Sequence, residues 1–431
     1  MVTSTADKIA NPVIDGVPLR TKLRRAERVR KMMAFGLTLP LLTFLSVTFI
    51  FPILWLLALS VKSPELAEVW PDSTVELQKW DGASLPPPPE LIQTLVREII
   101  TTYRTKKIGK AAKRVNYHYG GMRSFLKQTG RKLHRAAENE GFDTVINDPH
   151  LYERLIGYDK RWGEKKYWSF LRQAAPEYTN FFLLRSLDFD LDENDEIVPV
   201  REEIAVNIPV LIRTIWISVI TTAVCLLLGY PIAFLLATVP TRQSNLLILL
   251  LLLPFWTSLL VRTTAWLVLL QNEGVVNDVA IWLGAWEEPI QMVRNRMGTY
   301  IGMVHIMLPF MALPLFAVMK RIDPYHMKAA MSLGGTPIRS FFKVYVPQTR
   351  PGVGAGVLLV FIISTGFYLT PALIGGPADQ MLSFYVVFNA NSTANWGMAS
   401  ALSLVLMTVV AIFLVLYHRT IGLSNTTFGS G

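Results

Sequence analysis

Residues 321–352 read RIDPYHMKAAMSLGGTPIRSFFKVYVPQTRPG and lie between two long apolar runs. Asp323 and Pro324 are typical of a helix N-cap and first helical residue, so a short helix is predicted to begin here. A glycine pair at 334–335 ends that helix, and Pro337 cannot continue its hydrogen bonds. The small side chains of the helix are those of Ala329, Ala330, Ser332 and Gly334. Because small side chains allow close approach, the segment is predicted to dock in a partner's groove.

A second short helix is predicted after the glycine pair, with apolar and basic side chains on different faces. Its apolar residues are Ile338, Phe341, Phe342 and Val344, and its basic residues are Arg339 and Lys343. Pro347 and Pro351 close the segment. A surface helix between two membrane spans, with no docking role, is the alternative interpretation.

The spacing of these residues resembles the coupling-loop motif of ABC importer permeases. The family pattern is Glu-Ala-Ala, three residues, Gly, nine residues, Ile, one residue, Leu-Pro. This chain has Ala329-Ala330, Gly334, Val344 and Val346-Pro347 in the same register, with Lys328 in place of Glu. The resemblance implies a set of residues that contact a partner ATPase: Lys328, Ala329, Ala330, Ser332, Gly334 and Pro347.

The composition indicates a membrane protein. The 431 residues are 51% hydrophobic with a mean hydropathy of +0.35, and several apolar runs are long enough to cross a bilayer. The net charge of +10 is more typical of cytoplasmic flanks than of nucleic-acid binding. The single cysteine, Cys225, excludes an intrachain disulfide and a cysteine-based metal cluster. The first apolar run is too long for a signal peptide and is expected to stay as an anchor.

Six membrane spans are predicted, at about 33–61, 208–238, 246–270, 299–319, 353–374 and 399–417. Gly229-Tyr230-Pro231 is expected to interrupt the second span. The short inner loops are basic and the short outer loops hold most of the acids, which places both termini in the cytoplasm. The basic N-terminal tail, 1–31, has lipid or nucleic-acid binding as a second interpretation.

Residues 62–205 differ from the apolar spans because they are rich in charged residues. They are too long for a linker, and their apolar positions are periodic. Helical patterns lie near 90–108, 121–138, 147–157 and 164–173. Together with Trp80, Trp162 and Trp168 they predict a small, mainly helical domain outside the membrane.

Two charged stretches of this insert invite a functional interpretation. Residues 99–137 contain no Asp or Glu and eleven Lys or Arg. They form either a solvated helical face or a docking surface for an acidic partner or anionic lipid. A second stretch starts like a calcium loop with Asp188, Asp190 and Asp192, but it lacks the required Gly and Glu, so no metal site is predicted.

No catalytic residue is predicted. The sequence contains no Gly-x-x-x-x-Gly-Lys-Ser/Thr loop, which would cradle nucleotide phosphates, no His-Glu-x-x-His pair and no Gly-x-Ser-x-Gly elbow. Its six histidines are scattered. The chain therefore neither hydrolyses ATP nor resembles an intramembrane enzyme.

Two further stretches resemble the spermidine/putrescine type of this family. Residues 253–263, LPFWTSLLVRT, resemble its third-span region, and the run from Phe367-Tyr368 to Asn395-Trp396-Gly397 resembles its C-terminal part. The resemblance covers about residues 33–61 and 206–420 and leaves out the insert.

The candidate residues of a translocation path are Trp256, Thr257, Arg262, Phe367, Tyr368 and Thr370. Arg262 is costly inside an apolar span, so it should face the bundle interior or snorkel to the outer interface. The aromatic residues could instead pack or form an interfacial belt. The third and fifth spans contain no Asp or Glu, which weakens a polyamine assignment and leaves room for an amino-acid-like or anionic solute.

The resemblance implies a non-catalytic permease subunit of an ABC importer in the bacterial inner membrane. The implied partners are a second permease subunit, an ATPase dimer that holds ATP and Mg, a periplasmic solute-binding protein and membrane lipid, with no nucleic acid. The alternatives are a stand-alone channel or secondary transporter, or a receptor with an outer sensing domain. A carrier usually needs intramembrane carboxylates, which are lacking here, and a receptor needs an inner signalling domain, for which the inner segments are too short.

The predicted fold class is an all-α membrane protein with six transmembrane helices of the ABC importer permease type plus a mainly helical periplasmic insert. Its predicted parts are an N-terminal tail (1–31), a first transmembrane helix (32–61), the insert (62–205), a five-helix core (206–420) that includes the coupling loop (320–352), and a C-terminal tail (421–431).

Overall fold

The computed structural model describes residues 13–14 and 17–421, and the side chains of residues 23 and 25–419. Part of the predicted N-terminal tail, and all but the first residue of the C-terminal one, lie outside these described residues. The protein is an all-α membrane protein, as predicted, since the only named strands in the described part form two short hairpins. Contacts divide the chain into two units with the boundary between Ala58 and Leu59. The predicted domain boundaries within the second unit stay a prediction.

The first unit contains a small hairpin and most of one long helix. Its elements are β1 (Val13–Ile14), β2 (Val17–Pro18), α1 (Leu19–Leu45), a π turn (Ser46–Ile50) and α2 (Phe51–Val61), which crosses the unit boundary. Pro52 has no backbone N–H, and in the π turn ahead of it the N–H of Phe51 bonds to the O of Ser46. The helix from Arg25 to Val61 is apolar and long enough to cross a membrane, with few of its side chains buried.

The insert is mainly helical, as predicted. Its helices are α3 (Pro71–Lys79), α4 (Pro89–Arg104), α5 (Ile108–Asn116), α6 (Met122–Glu140), α7 (Phe142–Ile146), α8 (Leu151–Tyr158), α9 (Lys165–Ala174) and α10 (Phe181–Ser186). An antiparallel hairpin of β3 (Phe189–Leu191) and β4 (Ile197–Pro199) follows. The four predicted helical stretches correspond to α4, α6, α8 and α9. The helices α3, α5, α7 and α10 were not predicted.

Tryptophans organise the core of the insert. Trp70, Trp162 and Trp168 are fully buried. The indole Nε1 atoms of Trp70 and Trp162 donate to the hydroxyls of Thr102 and Thr129, each at 3.1 Å, and that of Trp168 donates to the backbone O of Trp162 at 2.8 Å. Because a buried indole N–H is costly without an acceptor, these bonds fix the ring orientations.

Residues 61–63, where the insert begins, pair with residues 177–179. The backbone N of Ser63 donates to the O of Glu177, and the N of Thr179 donates to the O of Val61, each at 2.7 Å. Lys62 and Tyr178 face each other across this antiparallel bridge. Residues 64–176 therefore form a closed loop whose two ends lie next to each other.

The acidic run after α10 has a structural role. The carboxylate of Asp188 accepts from the backbone N of Asn207 at 3.1 Å and of Ile208 at 2.7 Å, which caps the next membrane helix. Asp190 pairs with Arg185, and Asp192 accepts backbone N–H bonds within its own turn. The described residues contain no group of three His, Cys, Asp or Glu that could hold a metal ion.

The helices after the insert form the membrane core. They are α11 (Asn207–Thr238), α12 (Thr241–Leu252), α13 (Leu259–Leu269), α14 (Val275–Trp282), α15 (Arg296–Met319), α16 (Tyr325–Ser332), α17 (Pro337–Ser340), α18 (Val346–Gln348), α19 (Arg350–Thr365), α20 (Leu369–Ile374), α21 (Leu382–Asn391) and α22 (Trp396–Ile421). Among the described residues, four helices can span a membrane, or six if each of two bent helix pairs counts as one span.

Helix α11 runs unbroken through Pro231, so the interruption predicted at Gly229-Tyr230-Pro231 is wrong. Gly229 instead permits close helix packing, because a Cβ there would lie 3.0 Å from Cγ of Met311 on α15. Gly356 on α19 likewise faces Met311, whose backbone O would be 3.2 Å from a Cβ at 356. These contacts join α11, α15 and α19 into the centre of the core.

The predicted third and fifth spans are each broken. Segment 246–270 consists of two helical pieces that meet at an angle of 95°, because the chain turns at Thr257-Ser258. The Ser258 hydroxyl caps the second piece by accepting from the N of Val261 at 3.2 Å. Segment 353–374 breaks at residues 366–368, between α19 and α20.

The insert packs onto one end of each of two membrane helices, α11 and α22. Phe181 and Phe182 of α10 lie in one apolar cluster with Val210 of α11 and Leu402 of α22. Lys113 Nζ donates to the backbone O of Ala394, just before α22, at 3.2 Å. The insert is thus fixed against the second and sixth spans.

Candidate functional site

The coupling segment, residues 320–352, folds as two short helices around the glycine pair. The carboxylate of Asp323 accepts from the N of Tyr325 at 2.9 Å at the start of α16. At its end the N of Gly334 bonds to the O of Met331, and the N of Gly335 bonds to the O of Ala330. Gly334 has a positive φ of 89°, as this helix ending requires.

The first helix of the segment contains no buried residue. Lys328, Ala329, Ser332 and Gly334 are exposed, Ala330 is half-buried, and Pro347 lies half-buried in α18. Leu333 is 90% exposed and Ile338 is 72% exposed. Large exposed apolar side chains on a loop between spans indicate a protein contact surface. The predicted roles of these residues toward an ATPase stay a prediction.

An aromatic cluster anchors the second helix of the segment to α11. The ring of Phe234 lies 5.5 Å from that of Phe341 and 5.4 Å from that of Tyr345, both edge to face. Phe341 and Tyr345 stack on each other at 5.5 Å. The hydroxyls of Tyr230 and Thr349 are 3.2 Å apart. The segment therefore presents one exposed helix and holds the other firmly on the core.

The third-span candidates lie at and after the break. Trp256 is 72% exposed, and Thr257 is exposed and donates its hydroxyl to the O of Pro254. The guanidinium of Arg262 lies 5.8 Å from the ring centroid of Phe255 and has no acidic partner among the described residues. Arg262 thus contributes an unpaired cation to the core.

The fifth-span candidates separate into packing and lining residues. Thr370 is fully buried, and its hydroxyl lies 3.3 Å from that of Thr263 on α13. Phe367 packs against the core clusters. Tyr368 lines a cavity of about 440 Å³ between α19, α21 and α22. The structure therefore does not gather all six path candidates around one space within this chain.

Sequence reasoning missed two polar residues near these candidates. Ser383 lines the same cavity as Tyr368, and its hydroxyl donates to the backbone O of Phe367 at 2.7 Å. His305 on α15 lies edge to face with Trp266 at 5.3 Å. A histidine inside an apolar run is a visible signal for a site, whereas Ser383 carries none.

The chain is similar to permease proteins of known transport systems. The chain is 33% identical over 216 residues to the spermidine/putrescine transport system permease protein PotB of Escherichia coli, covering 50% of this chain and 78% of that protein. It is 33% identical over 221 residues to PotB of Haemophilus influenzae, covering 50% and 77%. The inner membrane ABC transporter permease protein YdcU of Escherichia coli is 27% identical over 227 residues, covering 49% and 72%.

Among solved structures, a bacterial ABC transporter that imports the acidic polysaccharide alginate matches with a TM-score of 0.40 at 17% identity, over 49% of this chain and 78% of that one. No family model matches the chain.

Proposed function

Because the chain belongs to the family of ABC importer permeases that includes the spermidine/putrescine permease PotB, we propose that it is the transmembrane permease subunit of an ATP-driven importer. It moves a small polar solute inward after a periplasmic binding protein delivers it. The solute is a polyamine or an amino-acid-like molecule. The observation that carries the proposal is the exposed coupling segment on a core whose relatives are permeases.

The chain supplies the path and the coupling surface, and ATP hydrolysis takes place on a partner. In this proposal ATP and Mg²⁺ bind an ATPase dimer whose clefts receive α16. Leu333 and Ile338 become buried there, which offsets the cost of their exposure to water. The aromatic cluster then transmits the motion of the dimer to α11, because Phe341 and Tyr345 cannot move without Phe234.

A second permease subunit completes the path. Tyr368 lines a cavity to which Arg262 does not contribute, so in this proposal a facing subunit encloses the solute together with both residues. The third and fifth spans offer no carboxylate. A polyamine would thus need acidic groups from the partner, whereas an amino-acid-like solute could pair its carboxylate with Arg262.

The insert carries the surface on which the binding protein docks. Its basic face consists of exposed cations without ion pairs in the described part of the chain, namely Arg104, Lys106, Lys107, Arg123, Lys127, Arg131 and Arg135. Residues 123, 127, 131 and 135 recur at every fourth position of α6, so they form one stripe along the helix. Such a stripe attracts an acidic partner, and the attraction weakens as salt rises.

Affinity purification of the full-length chain in mild detergent tests the assembly. We expect an ATPase and a second permease to be recovered with it, and recovery of this chain alone would contradict the proposal. Uptake into vesicles that contain the recovered complex should then require both ATP and binding protein. Comparing spermidine, putrescine and amino acids in the same vesicles identifies the solute class.

A further inference from the structure

The insert contains a cavity of about 620 Å³ that the transport reaction does not use. It lies between the C-terminal end of α3, the proline run at 86–89 and the N-terminal end of α8. A volume of this size accommodates a small organic molecule. The spermidine/putrescine permease PotB of Escherichia coli matches 50% of this chain.

The charged groups around the cavity are mostly acidic, in contrast to the chain's net charge of +10. Asp81, Asp148 and Glu153 line it together with one cation, Lys79. Lys79 Nζ is already paired with the Glu76 carboxylate at 2.7 Å. Asp148 is also engaged, because a backbone bond from His150 and the Arg154 guanidinium hold its pKa below the usual range.

Two carboxylates remain available for a ligand. Glu153 is exposed and has no ion pair among the described residues, and Asp81 is exposed with only Oδ1 engaged, by the backbone N of Ala83 at 2.9 Å. Both therefore face the cavity as free negative charges. A cationic group bound there would form charge-assisted hydrogen bonds with them.

The walls of the cavity combine the polar side chains of Ser84 and Gln93 with a stretch of apolar surface. Four consecutive prolines, residues 86–89, have no backbone N–H to offer, and Ile92 and Leu151 add aliphatic surface. Tyr152 is half-buried in the wall. The indole of Trp80 is only 5% exposed, and its Nε1 has no hydrogen-bond partner in the described part of the chain. The aliphatic and aromatic part of the wall suits the methylene groups of a ligand whose ends are charged.

We propose that this cavity binds a linear alkyl amine, with its ammonium groups on Asp81 and Glu153 and its methylene chain along the proline run and Tyr152. The choice of an amine as the natural ligand rests on the proposed function, because the named relatives are spermidine/putrescine permeases. The site would hold a solute molecule on the outer domain, separate from the path between the membrane helices.

Equilibrium binding of radiolabelled spermidine to the purified full-length chain, without binding protein or ATPase, tests the proposal. We expect Asp81→Asn with Glu153→Gln to weaken binding about tenfold, because two charge-assisted contacts are lost. Asn at 81 keeps the acceptor for Ala83, so the turn is preserved. Tyr152→Ala should weaken binding without changing any charge.

The matched control is Asp143→Asn with Glu138→Gln, which removes the same two charges from exposed positions outside the cavity. We expect wild-type affinity in this control. Equal affinity in the cavity variant and the wild type, an equal loss in the control, or no saturable binding to the wild type would each overturn the proposal.

Transport measured in parallel separates this proposal from the proposed function. If the chain binds spermidine through Asp81 and Glu153 but its complex imports another solute, the proposed cavity site is supported. The assignment of a polyamine as the transported solute is then contradicted. A complex that imports spermidine while the cavity variant binds it normally supports the importer and overturns the cavity site.

Discussion

Phe182 of the insert lies directly on Gly397 at the start of the sixth span. A Cβ on residue 397 would lie 2.6 Å from Cδ2 of the Phe182 ring, inside van der Waals contact. The Arg114 guanidinium lies 5.5 Å from the centroid of the same ring. Burial lowers the pKa of Arg114 to about 10, so the side chain still carries its charge at neutral pH. The insert and the membrane core therefore share one interlocked contact.

Gly397→Ala should loosen this contact. The added methyl group overlaps the Phe182 ring, and overpacking of this kind costs about 1–3 kcal/mol of unfolding free energy. Gly157→Ala is the matched control, since nothing lies within 4 Å of a Cβ there. Thermal unfolding of the purified chain measures both variants. Phe182→Leu combined with Gly397→Ala should recover part of the loss, and an additive loss would argue against direct overlap.

Excising the part of the insert between Ser63 and Glu177 should preserve the membrane core. Joining Ser63 to Glu177 through a short Gly/Ser turn keeps Phe181 and Phe182, whereas an excision over 85–185 would remove both. We expect normal membrane insertion and ATPase contact, with weaker docking of the binding protein and lower uptake because the basic face is lost. Uptake at limiting binding protein is the measurement, and a wild-type rate would show that the insert is dispensable.

A carboxylate placed on the coupling helix should act differently at two neighbouring positions. Ala329→Glu introduces bulk and charge on the small-residue face, and we expect loss of transport and of ATPase stimulation with normal expression. Lys328→Glu introduces the same group one residue away, at the position of Glu in the coupling-loop motif that the segment resembles, and should be tolerated. ATPase activity of the assembled complex distinguishes them. Equal behaviour of the two variants would contradict docking through this face.

Tyr368→Ala should reduce transport, because Tyr368 lines the cavity at the break of the fifth span. The control is Ile412→Ala on α22, whose side chain is 54% exposed and lies outside that cavity. Uptake rates at equal expression compare the two. If both variants transport equally well, Tyr368 only packs and takes no part in the path.

The junction between insert and core should weaken in acid. The His118 ring lies 4.0 Å from that of Phe181, and burial, then Arg114 and Arg185, hold its pKa well below 6.5. The unfolded chain therefore binds a proton more readily below pH 6.5, so the stabilisation is complete above that pH and falls as the pH is lowered. The other charged groups that line the same cavity as His118 are Lys166, Asp190, Asp192, Glu193 and Arg201.

We expect the melting temperature of the wild type to fall more steeply between about pH 7 and pH 5 than that of His118→Phe, which keeps an aromatic contact without a titrating group. If the melting temperatures of the two proteins fall in parallel with pH, the protonation of His118 is not the cause of the loss of stability.

The membrane spans could be predicted from sequence because lipid requires long, uniformly apolar helices. Helix α16 of the coupling segment could also be predicted, since a capping aspartate, a proline and a glycine pair mark its ends in the local sequence. The breaks in the third and fifth spans were not predicted, because apolar composition continues across Thr257-Ser258 and across residues 366–368. In the third span, Pro254 and the capping Ser258 were the available local signals.

Contacts between distant segments could not be predicted. The positions of Arg114 against Phe182, of Lys113 against Ala394 and of Asp188 at the start of α11 depend on how the insert folds. The cavity of the insert could not be predicted either, because two of the carboxylates that line it, Asp81 and Glu153, are far apart in the sequence. Gly229, two residues before Pro231, suggested a helix break. The structure shows instead that a glycine at this position allows close packing against Met311.

The unbroken helix α11 makes one rigid rod out of two remote contacts. Near one end it is held by Asp188 of the insert, and near the other end Phe234 packs against Phe341 and Tyr345 of the coupling segment. The two points are roughly 40 Å apart at 1.5 Å per residue. In the proposed importer, a displacement of the coupling segment by the ATPase would be transmitted along this helix to the insert, and a load on the insert would reach the ATPase contact by the same route.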